Sequence, residues 1–205
     1  MTDPYRRERQ LSRRIGGPIA GIDEVGRGPW AGPVVAAAVV LPCGVRLEGL
    51  TDSKALDEAE RERLFLEIAA VADIGIGWAT TRVVDRINIL QATYRAMLRA
   101  VHRLPVLPVY LLVDGRDVPN LPVPHTALVE GDARCACISA ASIVAKVFRD
   151  RFMTRTAPRY PEYGFDKNKG YGTPEHRDAL ARSGPCRLHR ASFAPVALTA
   201  QGQLF

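Results

Sequence analysis

The sequence predicts an α/β domain: a mixed five-stranded sheet flanked by helices on both faces, with a helical C-terminal extension. Three observations carry that expectation. Five short apolar runs, most of them rich in β-branched residues, are separated by segments of helical periodicity. Their order, β-β-α-β-α-β-β-α followed by a helical tail, interleaves strands with helices instead of segregating them. The chain of 205 residues is 47% hydrophobic and 24% charged, the composition of one globular domain able to bury a core of its own.

Residues 1–17 are Arg-rich and end in Gly16-Gly17, just before Pro18, so they read as a flexible basic leader; the fold is expected to run over 18–197, leaving 198–205 as a flexible tail. Ile19 to Asp23 and Val34 to Leu41 are the first two strands, split by the Gly/Pro-dense turn GRGPWAGP. Asp57 to Val71 reads as an amphipathic helix, with Leu64, Ile68 and Val71 on one face and two acids, Asp57 and Glu58, where the helix dipole favours them. Ile74 to Thr81 alternates as a third strand, and from Asn88 to His102 the residues Leu90, Tyr94, Met97, Leu98 and Val101 recur at helical spacing. Val109 to Val113 is the continuous apolar run of a buried central strand, and His125 to Val129 is the fifth strand. Ile138 to Thr156 is a long helix whose small-residue start predicts close packing against a neighbour. In the tail, Thr173 can cap, and Pro174 open, a helix reaching Ser183.

No apolar run approaches the ~20 residues of a spanning helix, and the arginines of the first 17 residues leave no room for the apolar segment of a secretory signal. A cytoplasmic protein without a membrane partner is expected. Four cysteines are too few for a disulfide framework. Cys135 and Cys137 with Cys186 and His189 offer a Cys3His zinc set, but without the usual tight knuckles; free buried thiols are the alternative. The net charge of +6 comes from 28 basic residues, only four of them lysines (Lys54, Lys146, Lys167, Lys169). Such an arginine excess favours a phosphate-rich partner.

The most informative local feature is Asp23-Glu24, two acids that end an apolar strand and run into Gly26-Arg27-Gly28. Alone, they could be an exposed turn. Asp114, however, also ends an apolar strand (LLVDG), and Asp132 stands in a third acidic, Gly-containing context ahead of the long helix. If the first and fourth strands are neighbours, Asp23 and Asp114 project from adjacent strand ends, where Glu24 and Asp132 can converge on them. Clustered carboxylates repel unless a cation sits among them, and hard oxygen ligands suit Mg²⁺ or Mn²⁺. Two such ions, about 4 Å apart, activate a water and stabilise the leaving oxygen of a phosphodiester. The formal match of Gly26 to Ala31 to a dinucleotide fingerprint lacks its context, because the chain proceeds into a strand where that motif opens a helix.

The block GIDEVGRGPWAGPVVAAAVVLP (21–42) resembles the opening signature of the type 2 ribonuclease H family, in its bacterial ribonuclease HII branch. TDSKAL (51–56), DRINILQATYRAM (85–97), LLVDG (111–115), EGDARCACISAASIVAKVFRDRFM (130–153), YPEYGFDKNKGYGTPEH (160–176) and HRASFAPV (189–196) follow the family's remaining blocks in order, so the resemblance spans about 18–197. It implies a ribonuclease H-like sheet and a Mg²⁺- or Mn²⁺-dependent endonuclease using two ions. Such an enzyme hydrolyses the phosphodiester 5′ of a ribonucleotide in RNA/DNA hybrids and in DNA duplexes with embedded ribonucleotides, leaving 3′-hydroxyl and 5′-phosphate ends. By resemblance Asp23, Glu24, Asp114 and Asp132 are the catalytic metal-binding carboxylates. Gly26, Arg27 and Gly28 contact the ribonucleotide and its 2′-hydroxyl, and Tyr171 completes the sensing of the RNA-to-DNA junction. Lys54, Lys146, Lys169 and Arg190, with Arg27, are implied phosphate contacts. Ser139 and Ser142 either touch the backbone of the substrate or are small packing residues.

The chain departs from the family pattern at Glu130, where a lysine is usual, at Cys135 and Cys137 in place of serines, and at Asn168 in place of histidine. A non-catalytic hybrid-binding protein and a ribonuclease H-like strand transferase or resolvase are the competing classes; the latter should not need the GRG and KGYGT elements. Ribonuclease HIII is disfavoured by the short segment ahead of the fold. The enzyme is expected to act as a monomer, and the terminal Gln201 to Phe205 resembles short peptides that bind the bacterial sliding clamp, a frayed terminus being the alternative.

Overall fold

The computed structural model describes residues 3–200. Strands β1 (Ile19–Val25), β2 (Val34–Val40), β3 (Asp73–Ala79), β4 (Tyr110–Asp114) and β5 (His125–Leu128) form one sheet in the order β3-β2-β1-β4-β5. The first three pair antiparallel as a meander, whereas β1, β4 and β5 run parallel. Mixed pairing follows from the connections. A tight Gly/Pro turn joins β1 to β2, but the long crossover through helix α3 (Thr81–Val101) returns the chain to lie parallel beside β1.

Strand β2, between β3 and β1, is buried on both faces, which explains its nearly unbroken Val/Ala composition. Val34, Ala36 and Ala38 join the cluster under α3, and Val35, Ala37 and Val39 join the cluster under α2 (Glu58–Val71) and α4 (Ala136–Thr156). Small residues let α4 lie directly on β1. A Cβ built at Gly21 would stand 2.1 Å from the Cys137 carbonyl carbon, so backbone meets backbone there. The small-residue start of this helix is thus a contact surface, as its sequence predicts.

Several boundaries differ from the sequence expectation. The segment 1–17, read as a flexible leader, carries helix α1 (Arg6–Ile15), ended by left-handed Gly16. It is held because α4 needs caps: the Ala136 amide donates to the Pro4 carbonyl (3.1 Å) and the Cys137 amide to the Glu8 carboxylate (2.8 Å). Those amides belong to the first turn of α4, which has no partner of its own for them. α3 starts seven residues before the expected Asn88, whose φ of 64° kinks the helix while its side chain caps the next turn at Gln91 (3.1 Å). Leu90 lies outside the α3 contact face and is exposed, the face being Ala92, Ala96, Met97, Ala100 and Val101. Val71 of α2 is likewise exposed.

The C-terminal extension is α5 (Phe165–Asn168), α6 (Pro174–Ser183) and α7 (Ala194–Ala200), so residues 198–200 are helical rather than tail. Thr173 caps α6, its hydroxyl accepting from the His176 amide (3.3 Å). Gln201 to Phe205 lie outside the described residues. Among the described residues, no helix is long and apolar enough to cross a membrane.

Because only backbone faces Gly21, Gly21→Ala cannot be absorbed by a side-chain rotation and is expected to cost about 3 kcal/mol or more. For a chain of this size that lowers Tm by roughly 10 °C, measurable by scanning calorimetry. An unchanged Tm would show that α4 lifts freely from the sheet.

Candidate active site

β1 and β4 are parallel neighbours in a register that pairs Ile22 with Val113. The next residues along both strands are Asp23 and Asp114, so the pairing sets their side chains at adjacent strand ends. Asp132 arrives on a single 3₁₀ turn (Gly131–Ala133) just before α4. One oxygen from each of Asp23, Asp114 and Asp132 lies within 4.8 Å of the other two. The turn is fastened to the strand end by Asp114 itself, whose Oδ1 accepts from the Gly131 amide (2.7 Å) and the Asp132 amide (3.4 Å). Gly131 permits that approach, since a Cβ there would meet Ile138 at 2.7 Å and Asp114 Oδ1 at 3.2 Å.

Glu24, expected to converge with these three, stands beside them instead. Its Oε1 accepts from Arg27 (3.1 Å), and it falls outside the close triple while still adding to its charge. Burial, together with the Glu24 and Asp114 charges, pushes the Asp23 carboxyl well above the usual range. Burial and Asp132 raise Asp114, and burial raises Glu24 against the pull of Arg27. Among the described residues, Lys54 is the one cation in ion-pair contact with the triple, its Nζ 3.1 Å from Asp132 and 3.6 Å from Asp52. Burial works to lower the Lys54 ammonium, but the bond and charge of Asp132 hold it above its ordinary value. Three hard oxygen donors that destabilise one another's charge, with one exposed lysine beside them, fit a divalent cation. Ser142 faces Asp23 and pairs with Ser53 (2.8 Å), while the Ser139 hydroxyl bonds carbonyls of Asp132 and Cys135.

Two loops flank the acids. Gly26 has φ +89° and is buried, whereas Arg27 and Gly28 are exposed, and a Cβ at Gly28 would meet nothing within 4 Å. The second loop, 168–173, docks on the first: the Trp30 and Ala31 amides donate to the Gly170 carbonyl (2.9 and 3.3 Å), and Gly172 packs its backbone on the Trp30 ring. This close approach presents Tyr171 at the surface, 42% exposed, next to the 26–28 turn's own strand connection.

The implied phosphate contacts separate into three groups. Arg27 and Lys54 are exposed. Lys146 is paired with Asp150 (2.8 Å), and Lys169 donates to Thr154 (2.8 Å) and to the Asp166 carbonyl. Arg190 must be corrected outright. It is fully buried, and its guanidinium donates to the carbonyls of Gly26, Arg27 (2.9 Å) and Gly32 (2.9 and 3.1 Å), so it is turned into the loop and presents no face to a phosphate. Arg149, not singled out from the sequence, is equally buried and donates to the carbonyls of Ala31, Pro33 and Lys169 (each 3.0 Å), joining both loops. Its only signal was an arginine at helical spacing from Ser142 and Ala145 on an otherwise small, apolar face.

The zinc alternative has no geometry. Cys135 and Cys137 are buried with Ile19, Leu112 and Ile138, while Cys186 packs among Tyr163 and Phe165 in a separate cluster. Burial pushes the Cys135 thiol up to about 11 and Cys137 well above its ordinary value, which opposes thiolate formation.

A family model described as Ribonuclease HII matches residues 20–196. The chain is 55% identical over 194 residues to ribonuclease HII of Syntrophotalea carbinolica, covering 94% of this chain and 93% of that one. Among solved structures, ribonuclease H2 from Pyrococcus horikoshii aligns with TM-score 0.76 at 26% identity, over 91% of this chain and 98% of the other. Ribonuclease HII of Archaeoglobus fulgidus, solved as a complex with PCNA, aligns with TM-score 0.74 at 27% identity, over 86% and 95%.

Arg190→Ala would strand three buried carbonyls under the first loop. It is expected to destabilise the protein by about 3 kcal/mol and to lower Tm by roughly 10 °C. Arg190→Lys should rescue only a minor part, because an ammonium lacks the planar fork. A Tm equal to that of the unaltered protein, in thermal denaturation followed by circular dichroism, would show that the loop does not depend on this guanidinium.

Proposed function

The chain belongs to the ribonuclease HII family, ribonuclease H hydrolases acting on RNA/DNA hybrids, and from that premise we propose that it cuts the phosphodiester on the 5′ side of a ribonucleotide, in hybrids and in duplex DNA carrying embedded ribonucleotides. The observation that carries this reading is the triple of Asp23, Asp114 and Asp132 within 4.8 Å, flanked by a glycine turn whose backbone is open to a ligand.

In this reading Asp23, Asp114 and Asp132, with Glu24 at the rim, hold two divalent ions, Mg²⁺ or Mn²⁺. Such ions supply Lewis acidity, lowering the pKa of a water and taking up charge on the leaving oxygen. The chain's own residues do the rest. Asp114 anchors the Asp132 turn through two amides, which keeps the oxygen set in place without rearrangement. Lys54 and Arg27, exposed beside the acids, meet the phosphates on either side of the scissile one. Because the water attacks phosphorus and the 3′-oxygen leaves, the products carry a 3′-hydroxyl and a 5′-phosphate.

Choosing RNA over DNA means detecting one hydroxyl. The backbone of the Gly26-Arg27-Gly28 turn, open at Gly28, can approach it, and Tyr171 can lay its ring on the adjoining sugar. Lys146 and Lys169, each bonded to a neighbouring residue, contribute through their charge. We further infer a cytoplasmic monomer whose last residues, Gln201 to Phe205, dock on a sliding clamp. This last point is supported by their resemblance to clamp-binding peptides and by the PCNA complex of the Archaeoglobus relative.

A DNA duplex with a single ribonucleotide is expected to be incised only at its 5′ side, with Mg²⁺ or Mn²⁺ and not with EDTA. Asp114→Asn should reduce the rate by more than about 100-fold, the upper range for loss of a mere outer-shell partner. Incision of an all-DNA duplex would favour a resolvase-like enzyme; binding without incision under either metal would favour a hybrid-binding protein.

A further inference from the structure

Beneath Tyr171, two histidines that no part of the reaction uses form a chain of hydrogen bonds with a fixed direction. His176, in α6, is fully buried and His189 is 5% exposed, among the rings of Trp30, Tyr163 and Phe165. The Cys186 backbone amide can only donate, and it points at His189 Nδ1 (2.9 Å). That nitrogen must therefore be bare, and a neutral ring carries its proton on Nε2. His189 Nε2 faces His176 Nε2 at 3.0 Å, so the latter must accept. The His176 proton is then on Nδ1, which donates to the Tyr171 carbonyl at 2.8 Å. One backbone donor thus dictates both tautomers.

The Tyr171 peptide is held from every side. Its carbonyl also accepts from the Thr173 amide (2.8 Å), and its amide donates to the Asn168 carbonyl (2.9 Å). Protonating either ring would set two N–H groups against each other or break the bond from Cys186. Burial accordingly lowers both histidines, His189 to about 4 with His176 adding to the effect. The other titratable neighbours are Tyr163, whose ring packs edge-on to both, and the Cys186 thiol. The Tyr171 side chain, by contrast, is exposed and free of hydrogen bonds among the described residues. A rigid peptide beneath an open side chain is the arrangement of a pre-organised contact.

We propose that His176 and His189 are positioning residues for Tyr171, fixing through their paired tautomers the aromatic ring that discriminates the ribonucleotide. The inference rests on the reading of Tyr171 as the junction sensor. His176→Asn puts an amide N–H where Nδ1–H stood, whereas His176→Leu keeps bulk and loses the donor. His189→Asn, a milder change, keeps an acceptor for Cys186 but removes the donor to His176.

The readouts are kcat and KM on a duplex with one ribonucleotide, in the presence and absence of Tyr171→Ala. His176→Leu is expected to lower kcat/KM about tenfold, within the coupling range of contacting groups. His176→Asn should stay within about threefold of the unaltered enzyme, and His189→Asn should fall between. In the Tyr171→Ala background His176→Leu should cost nothing further. Imidazole ¹⁵N spectra of the unaltered protein, which need no variant to fold, should show His176 protonated at Nδ1 and His189 at Nε2. Full activity of Tyr171→Ala would overturn the sensor reading and the inference with it. An impaired Tyr171→Ala alongside a fully active His176→Leu, losses that multiply, or the opposite tautomers would overturn the inference alone.

Discussion

Parallel pairing of β1 with β4 is the constraint on which the rest of the site depends. An antiparallel neighbour would have put the start of one strand beside the end of the other, and Asp23 and Asp114 would lie at opposite edges of the sheet. Parallel pairing requires a crossover, here through β2, β3 and α3, and it places both acids at one edge. The third acid then needs no strand of its own. Asp114 binds the amides of the turn that bears Asp132, so the anion on one strand end organises the position of the next. Burial, with the repulsion built up in this way, raises the carboxyls of Asp23 and Asp114, and the same repulsion makes the triple a seat for cations.

Loop rigidity comes from a different source, two buried guanidiniums that serve carbonyls instead of carboxylates. Arg149 and Arg190 between them satisfy Gly26, Arg27, Ala31, Gly32, Pro33 and Lys169. Only arginine can do this, since its planar fork serves several fixed acceptors at once. Burial, aided by the nearby Arg149, lowers Arg190 to about 9, so it remains a cation at neutral pH. Among the described residues neither side chain forms a salt bridge, which leaves two positive charges beneath the loops that flank the acids. That floor favours a polyanion above it, and it does so without offering a contact.

These features explain which parts of the molecule were legible in the sequence. The five strands, α2, α4 and α6 were readable because their signals are local: β-branched runs, periodicity, and the Thr173-Pro174 start. Asp23, Asp114 and Asp132 were readable because an acid at the end of an apolar run is anomalous wherever it occurs. The leader was not readable as α1, because what holds that helix is a pair of α4 amides more than 100 residues away. Arg190 was misassigned for the same reason. A cation in a family block suggests phosphate, whereas its partners are carbonyls some 160 residues earlier. Glu24, next to Asp23 in the chain, is turned by alternation along β1 toward Arg27, while its charge still acts on Asp23.

The positions where the chain departs from the family pattern bear on whether the chemistry survives, and each has a local structural role. Asn168 donates to the Tyr163 carbonyl (2.6 Å) and accepts from the Gly170 amide (2.8 Å), so it folds the very turn that carries Tyr171. Glu130 adopts a left-handed φ of 55° immediately before the Asp132 turn, with its side chain at the surface. Cys135 and Cys137 are buried under α1, where Glu8 caps the Cys137 amide. None of the four side chains is among the hydrogen-bond or ion-pair partners of the acidic triple. Substitution there alters how the flanking turns are braced, while the oxygen set at the strand ends is determined by β1, β4 and the Gly131 turn. Sequence drift at these four sites is therefore compatible with an intact metal-binding edge.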